Sequence, residues 1–155
     1  MKSIIAAGLL ISAALLIQAC SDSAKSPEDE IRQFIDVGVQ AGENRSVDDM
    51  SELIHPDYGD QNGYNRKQLG KLLRAYFFRH KNIHLFTRVD EIELLTDNEA
   101  SVHLHVAMAG TVISDVTALS SLSARIYRFE LRLSRQEEWL LRHASWAPAS
   151  IADLE

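Results

Sequence analysis

Cysteine occurs once in 155 residues, proline three times and glycine seven times. A single cysteine excludes a disulfide framework, and so little proline and glycine excludes collagen-like chains. Positive charge is also scarce. Sixteen Lys and Arg stand against 22 Asp and Glu, a formal net charge of −6. That balance argues against a nucleic-acid surface, which needs cations to replace condensed counterions, and it disfavours anionic partners generally. GxSxG, a glycine-rich phosphate loop, CxxC and HExxH are all missing, which removes the common hydrolase, nucleotide, redox and zinc-protease readings. No cofactor and no metal is expected. There are no internal repeats and no low-complexity segment. What remains is ordinary globular usage, 46% apolar and 25% charged, and enough chain for one domain.

The longest apolar run is Ile4 to Ile17, 14 residues interrupted only by Gly8 and Ser12. A membrane-spanning helix needs roughly 20 residues, so a run this short after the basic Lys2 reads as the core of a secretory signal. Ala19 then precedes the lone thiol, Cys20. Ile17-Gln18-Ala19-Cys20 resembles the lipobox of bacterial lipoproteins, whose cysteine is acylated and becomes the mature N-terminus. That resemblance implies a signal peptide over residues 1–19, lipidation at Cys20 and a lipidated tether over 20–26. It also accounts for an unpaired cysteine in an exported chain. Ser21 in place of aspartate implies, by the same resemblance, an anchor facing the periplasm at the outer membrane.

Ser26-Pro27-Glu28-Asp29 has the composition of a helix start, and Ile31, Phe34, Ile35, Gly38 and Gly42 then fall on one helical face as far as about Glu43. Ser46 with Asp49 repeats the capping pattern for a short helix through Met50, Leu53 and Ile54, which must stop at His55-Pro56. DYGDQNGYN reads as a loop. Asn65 caps a third helix with Leu69, Leu72, Leu73, Tyr76, Phe77 and His80 at the 3.6-residue period. The period then becomes alternating: strands are expected over 82–95, 99–111, 123–135 and 139–146, with TDNE and QEE as turns. Residues 112–122 carry no assignable pattern.

Helices followed by a meandering antiparallel sheet make an α+β layer. The element order, ending in the tryptophan-bearing strand EWLLRHASW, resembles the cone-shaped NTF2-like family that includes SnoaL-like cyclases and ketosteroid isomerases. The resemblance covers residues 27–149 and leaves 150–155 as a C-terminal tail. It implies three N-terminal helices on a curved, mainly antiparallel sheet of four to five strands. Dimerisation through the open sheet face is a further implication.

Three groups of residues could carry chemistry. His103 and His105 stand two apart on a strand, about 6.5 Å, and could share a ligand or metal if His84 or His143 joined them. Because Val102, Leu104, Val106 and Met108 form the apolar face, both histidines otherwise turn to the opposite, wetter face. HPDYGDQNGYN concentrates Tyr58, Asp60 and Tyr64; NTF2-like enzymes use an acid or histidine as base with tyrosine hydroxyls polarising a carbonyl, which makes Asp60, Tyr58, Tyr64 and His84 the catalytic candidates. The plainer reading is turn chemistry. Tyr76, Phe77, His80 and Trp146 could line a cone, and with His103 and His105 they are the ligand-binding candidates. Two functions follow: an envelope protein that binds a small apolar molecule or a protein partner, or a small isomerase, dehydratase or cyclase.

Overall fold

The structure, a computed structural model, describes residues 25–154. The leader, Cys20 and most of the tether lie outside those residues. Ser26 caps helix α1 (Pro27–Glu43) through a reciprocal box with Asp29, as its composition suggests. The chain then reverses through Asn44 and Arg45, the latter at φ 55°, into α2 (Val47–Glu52). Asn65 and Gln68 close a second box at the start of α3 (Arg66–Arg79). Among the described residues no helix is long and apolar enough to cross a membrane.

Five strands follow this frame: β1 (Ile54–Asp60), β2 (His84–Thr96), β3 (Glu99–Ala109), β4 (Arg125–Arg135) and β5 (Trp139–Ala149). They form one sheet in the order β1-β5-β4-β3-β2, antiparallel except for the parallel β1–β5 pair. β1 corrects the expected helix end and loop. Ile54 leaves α2 and begins a strand, and the chain to Asp60 pairs with β5 on the far edge of the sheet. Pro56 is tolerated there because an edge strand can leave one N–H unpaired. The pairing is interrupted between Ile54 and Gly59, where the buried His55 ring accepts the Asp57 N–H through Nδ1 at 3.0 Å.

The register puts Val102, Leu104 and Val106 of β3 beside Leu131, Phe129 and Tyr127 of β4, facing the helices. Ile31 and Ile35 of α1 pack against this face with Leu133 and Trp139 to form the main core. Glu30 ties the same helix to the sheet, accepting from Trp139 Nε1 and from Arg135, each at 3.1 Å. Arg135 of β4 is therefore an anchor for α1.

A second, smaller core lies on the other face. Residues 112–122, unassigned from sequence, include the 3-10 turn η1 (Val116–Ser120), and residues expected to trail beyond the domain form η2 (Ile151–Leu154). Leu119 and Leu154 are buried against Ala107 and Ile126 there. The last residues of the described chain are part of the packing.

Candidate functional site

Helices lie on the concave side of the sheet without filling it. A cavity of about 410 Å³ remains between α1, α2 and α3 and the inner faces of all five strands. Its size falls within the range of small-molecule sites, ~300–1,000 Å³. Two helical glycines help to keep it open. Gly38 and Gly42 of α1 both line it, and a Cβ at Gly42 would come within 3.0 Å of Leu85 Cδ1. Glycine inside a helix costs about 0.5–1 kcal/mol relative to alanine, a cost that here accompanies space.

Nearly every wall is hydrocarbon. Phe34 and Ile35 come from α1, Leu69, Leu73, Tyr76 and Phe77 from α3, and Leu104, Val106, Phe129, Leu131 and Trp146 from the sheet. Tyr76, Phe77 and Trp146, ligand-binding candidates from the sequence, line the cavity and do not plug it. Trp146 stacks at 6.1 Å on Phe129. Side-chain polarity is confined to Tyr58, Tyr76, Thr87 and the Trp146 indole; no carboxylate, imidazole, ammonium or guanidinium lines the cavity.

A buried acid of β1 stands close to one lining residue. Tyr58 lines the cavity, and Asp60, two residues on along the same strand, is buried beside it. Asp60 Oδ1 accepts the N–H groups of Asn62 at 2.8 Å and Tyr64 at 3.0 Å, which closes the turn before α3. Oδ2 is buried beside the Tyr58 hydroxyl without a well-formed hydrogen bond. The neighbouring polar group is the Tyr58 hydroxyl, whose pKa is raised well above the ordinary tyrosine range by burial first and then by the Asp60 charge. Tyr58 therefore stays a neutral donor, and Asp60 serves both the turn and this tyrosine. Tyr64 contributes only its backbone to the arrangement, its side chain being exposed.

Other candidates lie apart. His84 opens β2, half-buried and off the cavity wall. His80 caps the end of α3 and its ring stacks on that of Tyr76 with centroids 4.2 Å apart. His103 and His105 occupy the opposite face of the sheet, as alternation with Leu104 requires. His105 is nonetheless buried, its Nδ1 2.7 Å from Asp90 under the η2 layer. His103 and His105 do not meet His84 or His143, and among the described residues no group of three His, Cys, Asp or Glu is arranged to hold a metal. Sequence reasoning missed Phe34, Leu69, Val106 and Phe129 as site residues, because a lining residue and a core residue have the same pattern.

No protein-family model and no curated protein matches this chain. Solved structures do match. A provisionally named scytalone dehydratase from Novosphingobium aromaticivorans superposes with TM-score 0.65 at 11% identity, covering 78% of this chain and 83% of that one. A provisionally named dehydratase of the NTF2-like family from Streptomyces avermitilis gives TM-score 0.63 at 14% identity, over 80% and 99%. An NTF2-like protein of unknown function from Shewanella oneidensis gives 0.57 at 17%, over 78% and 98%. The domain has the NTF2-like cone fold, with three helices and a curved, mainly antiparallel sheet of five strands.

Proposed function

We propose that this protein is a lipid-tethered envelope lipoprotein, facing the periplasm at the outer membrane, whose NTF2-like domain binds a small apolar molecule without transforming it. One observation carries the binding reading: an open 410 Å³ cavity with hydrocarbon walls and no ionisable lining group apart from tyrosine hydroxyls. Acid–base catalysis needs a titratable group within hydrogen-bond reach of the reacting atom. A binder of apolar ligands needs none. By the standard of a ~150 Å³ cavity that holds one benzene, this one suits a ligand of two to three rings or a branched chain of similar bulk.

Native mass spectrometry of protein taken from its own envelope tests the reading. The expected result is a retained neutral molecule, displaced by the three-ring probe N-phenyl-1-naphthylamine. A protein that carries nothing and does not take up the probe overturns it. The location follows from Cys20, and Cys20→Ala is expected to move the domain from the membrane to the soluble fraction.

A dehydratase-type reading has one observation in its favour, the Tyr58 hydroxyl on the cavity wall beside a buried carboxylate oxygen. In that case the retained molecule would appear as a substrate and product pair, and Asp60→Asn would leave only the substrate. For a binder, Asp60→Asn leaves the mass of the retained molecule unchanged.

A further inference from the structure

The overall charge of −6 conceals a local excess of the opposite sign. Between Asp60 and Asp90 there is no acidic residue, and seven Lys or Arg fall in that interval. Most of them belong to α3 or its end. Lys67, Lys71, Arg74 and Phe78 follow one another at spacings of four, three and four, so they share one stripe of the helix. Leu69, Leu73, Tyr76 and Phe77 occupy the opposite stripe and face the cavity. The outward stripe is exposed along its length, and the Phe78 ring is 88% exposed, the largest exposure among the large apolar residues of the described chain. Lys67, Lys71 and Arg74 form no ion pair among the described residues. They line a shallow groove with Arg66, where Asp48 of α2 is the one acid.

An unpaired cationic row ending in a bare phenyl ring is matched to an interface with an anionic layer outside and hydrocarbon beneath. Clustered Lys and Arg are drawn to an anionic bilayer surface, and an exposed aromatic ring at their end suits its interfacial layer. We propose that the outward face of α3 docks on an anionic phospholipid bilayer, Lys67, Lys71 and Arg74 meeting headgroup phosphates and Phe78 entering the interfacial layer. Phe78 decides between partners, because an acidic protein surface satisfies the cations and leaves the ring in water. The inference draws on the tether only for proximity: a six-residue segment such as 21–26 can reach at most about 20 Å, so an anchored domain stays beside the bilayer. It is independent of what the cavity holds, although docking would set the helix that walls the cavity against the lipid.

The test uses the full, lipid-bearing chain in vesicles, with Phe78→Trp as the reporter and brominated acyl chains as quencher. The unsubstituted chain, with Trp139 and Trp146, gives the background. Bromine is expected to quench the introduced indole in vesicles containing phosphatidylglycerol, and not in vesicles of phosphatidylcholine alone. Molar salt should abolish the quenching, since exposed charges are screened within a few ångströms. Reversing Lys67, Lys71 and Arg74 to Glu should lower the docked-to-free ratio by roughly a hundredfold or more, at about fivefold per cation removed. A far-UV circular dichroism spectrum and a urea midpoint close to those of the unsubstituted chain show that the reversed variant is folded. Equal quenching in both vesicles, persistence after charge reversal, or no quenching overturns the proposal. A shift of indole emission by heparin with no response to any vesicle also overturns it, and gives the face to a polyanion. Flotation of the chain with phosphatidylcholine vesicles reports the lipid anchor separately.

Discussion

Val106→Phe separates an open cavity from a tightly packed core, because the two make opposite predictions for stability. Val106 lies on the inner face of β3 between Thr87 and Tyr127 and lines the cavity. Benzyl in place of isopropyl adds four carbons. If all four are buried in empty space, the gain is at most about 3 kcal/mol at ~0.8 kcal/mol per methylene; fixing the ring and imperfect fit reduce this to about 1–2 kcal/mol. The added carbons take roughly a quarter of the 410 Å³, by the ~150 Å³ benzene standard. Space occupied by the protein is lost to a ligand, and the affinity for N-phenyl-1-naphthylamine is expected to fall about tenfold or more. Urea unfolding gives the first quantity and a fluorescence titration the second. The expected signature is higher stability with weaker binding. Overpacking a filled site costs typically 1–3 kcal/mol. A variant that loses stability by that amount while binding the probe unchanged refutes the open cavity at this wall.

Tyr58 makes alkaline stability a test of its burial. Its folded pKa lies above the unfolded value of 10.0, so its contribution is complete below pH ~10 and is lost as pH rises from there towards the folded value. Urea midpoints should therefore fall above pH 10, and Tyr58→Phe should flatten that fall; an unchanged slope would refute the assignment. Removing Glu30 leaves the indole N–H of the buried Trp139 without its acceptor. Glu30→Ala is expected to cost about 1–2 kcal/mol, with much of it recovered in Glu30→Gln, since the carboxylate itself is partly exposed. Equal costs for both variants would show that charge, and not acceptance from Trp139, matters. Leu154→Ala should destabilise by about 1–3 kcal/mol by opening the second core at a chain end, where Leu154 is 3% exposed. No change in chemical denaturation would mean that η2 is not packed in solution.

The parts of the fold that were legible in the sequence are those written in local chemistry. Ser26, Asn65 and their partners three residues on announce two helix starts within a few residues, and the alternation of Val102, Leu104, Val106 and Met108 selects the inner face of β3. β1 was not legible for the same reason. Its stability comes from pairing with β5, which lies more than eighty residues away, as Ile54 with Leu141 and Asp60 with Ala144. Its own residues include a proline, a glycine and two aspartates, and these favour turns when read alone. Asp60 belongs to both descriptions: one oxygen makes the turn, as composition suggests, and the other is buried by a strand that composition does not reveal. The cavity is a step further removed. Leu69, Val106 and Phe129 have the pattern of core residues, and what turns them into walls is that helices set on a curved sheet stand too far off for their side chains to meet. Curvature depends on register and on bulges such as the one between Arg132 and Leu133. Periodicity tells which side chains point inward, whereas the emptiness between them is a property of the assembled sheet.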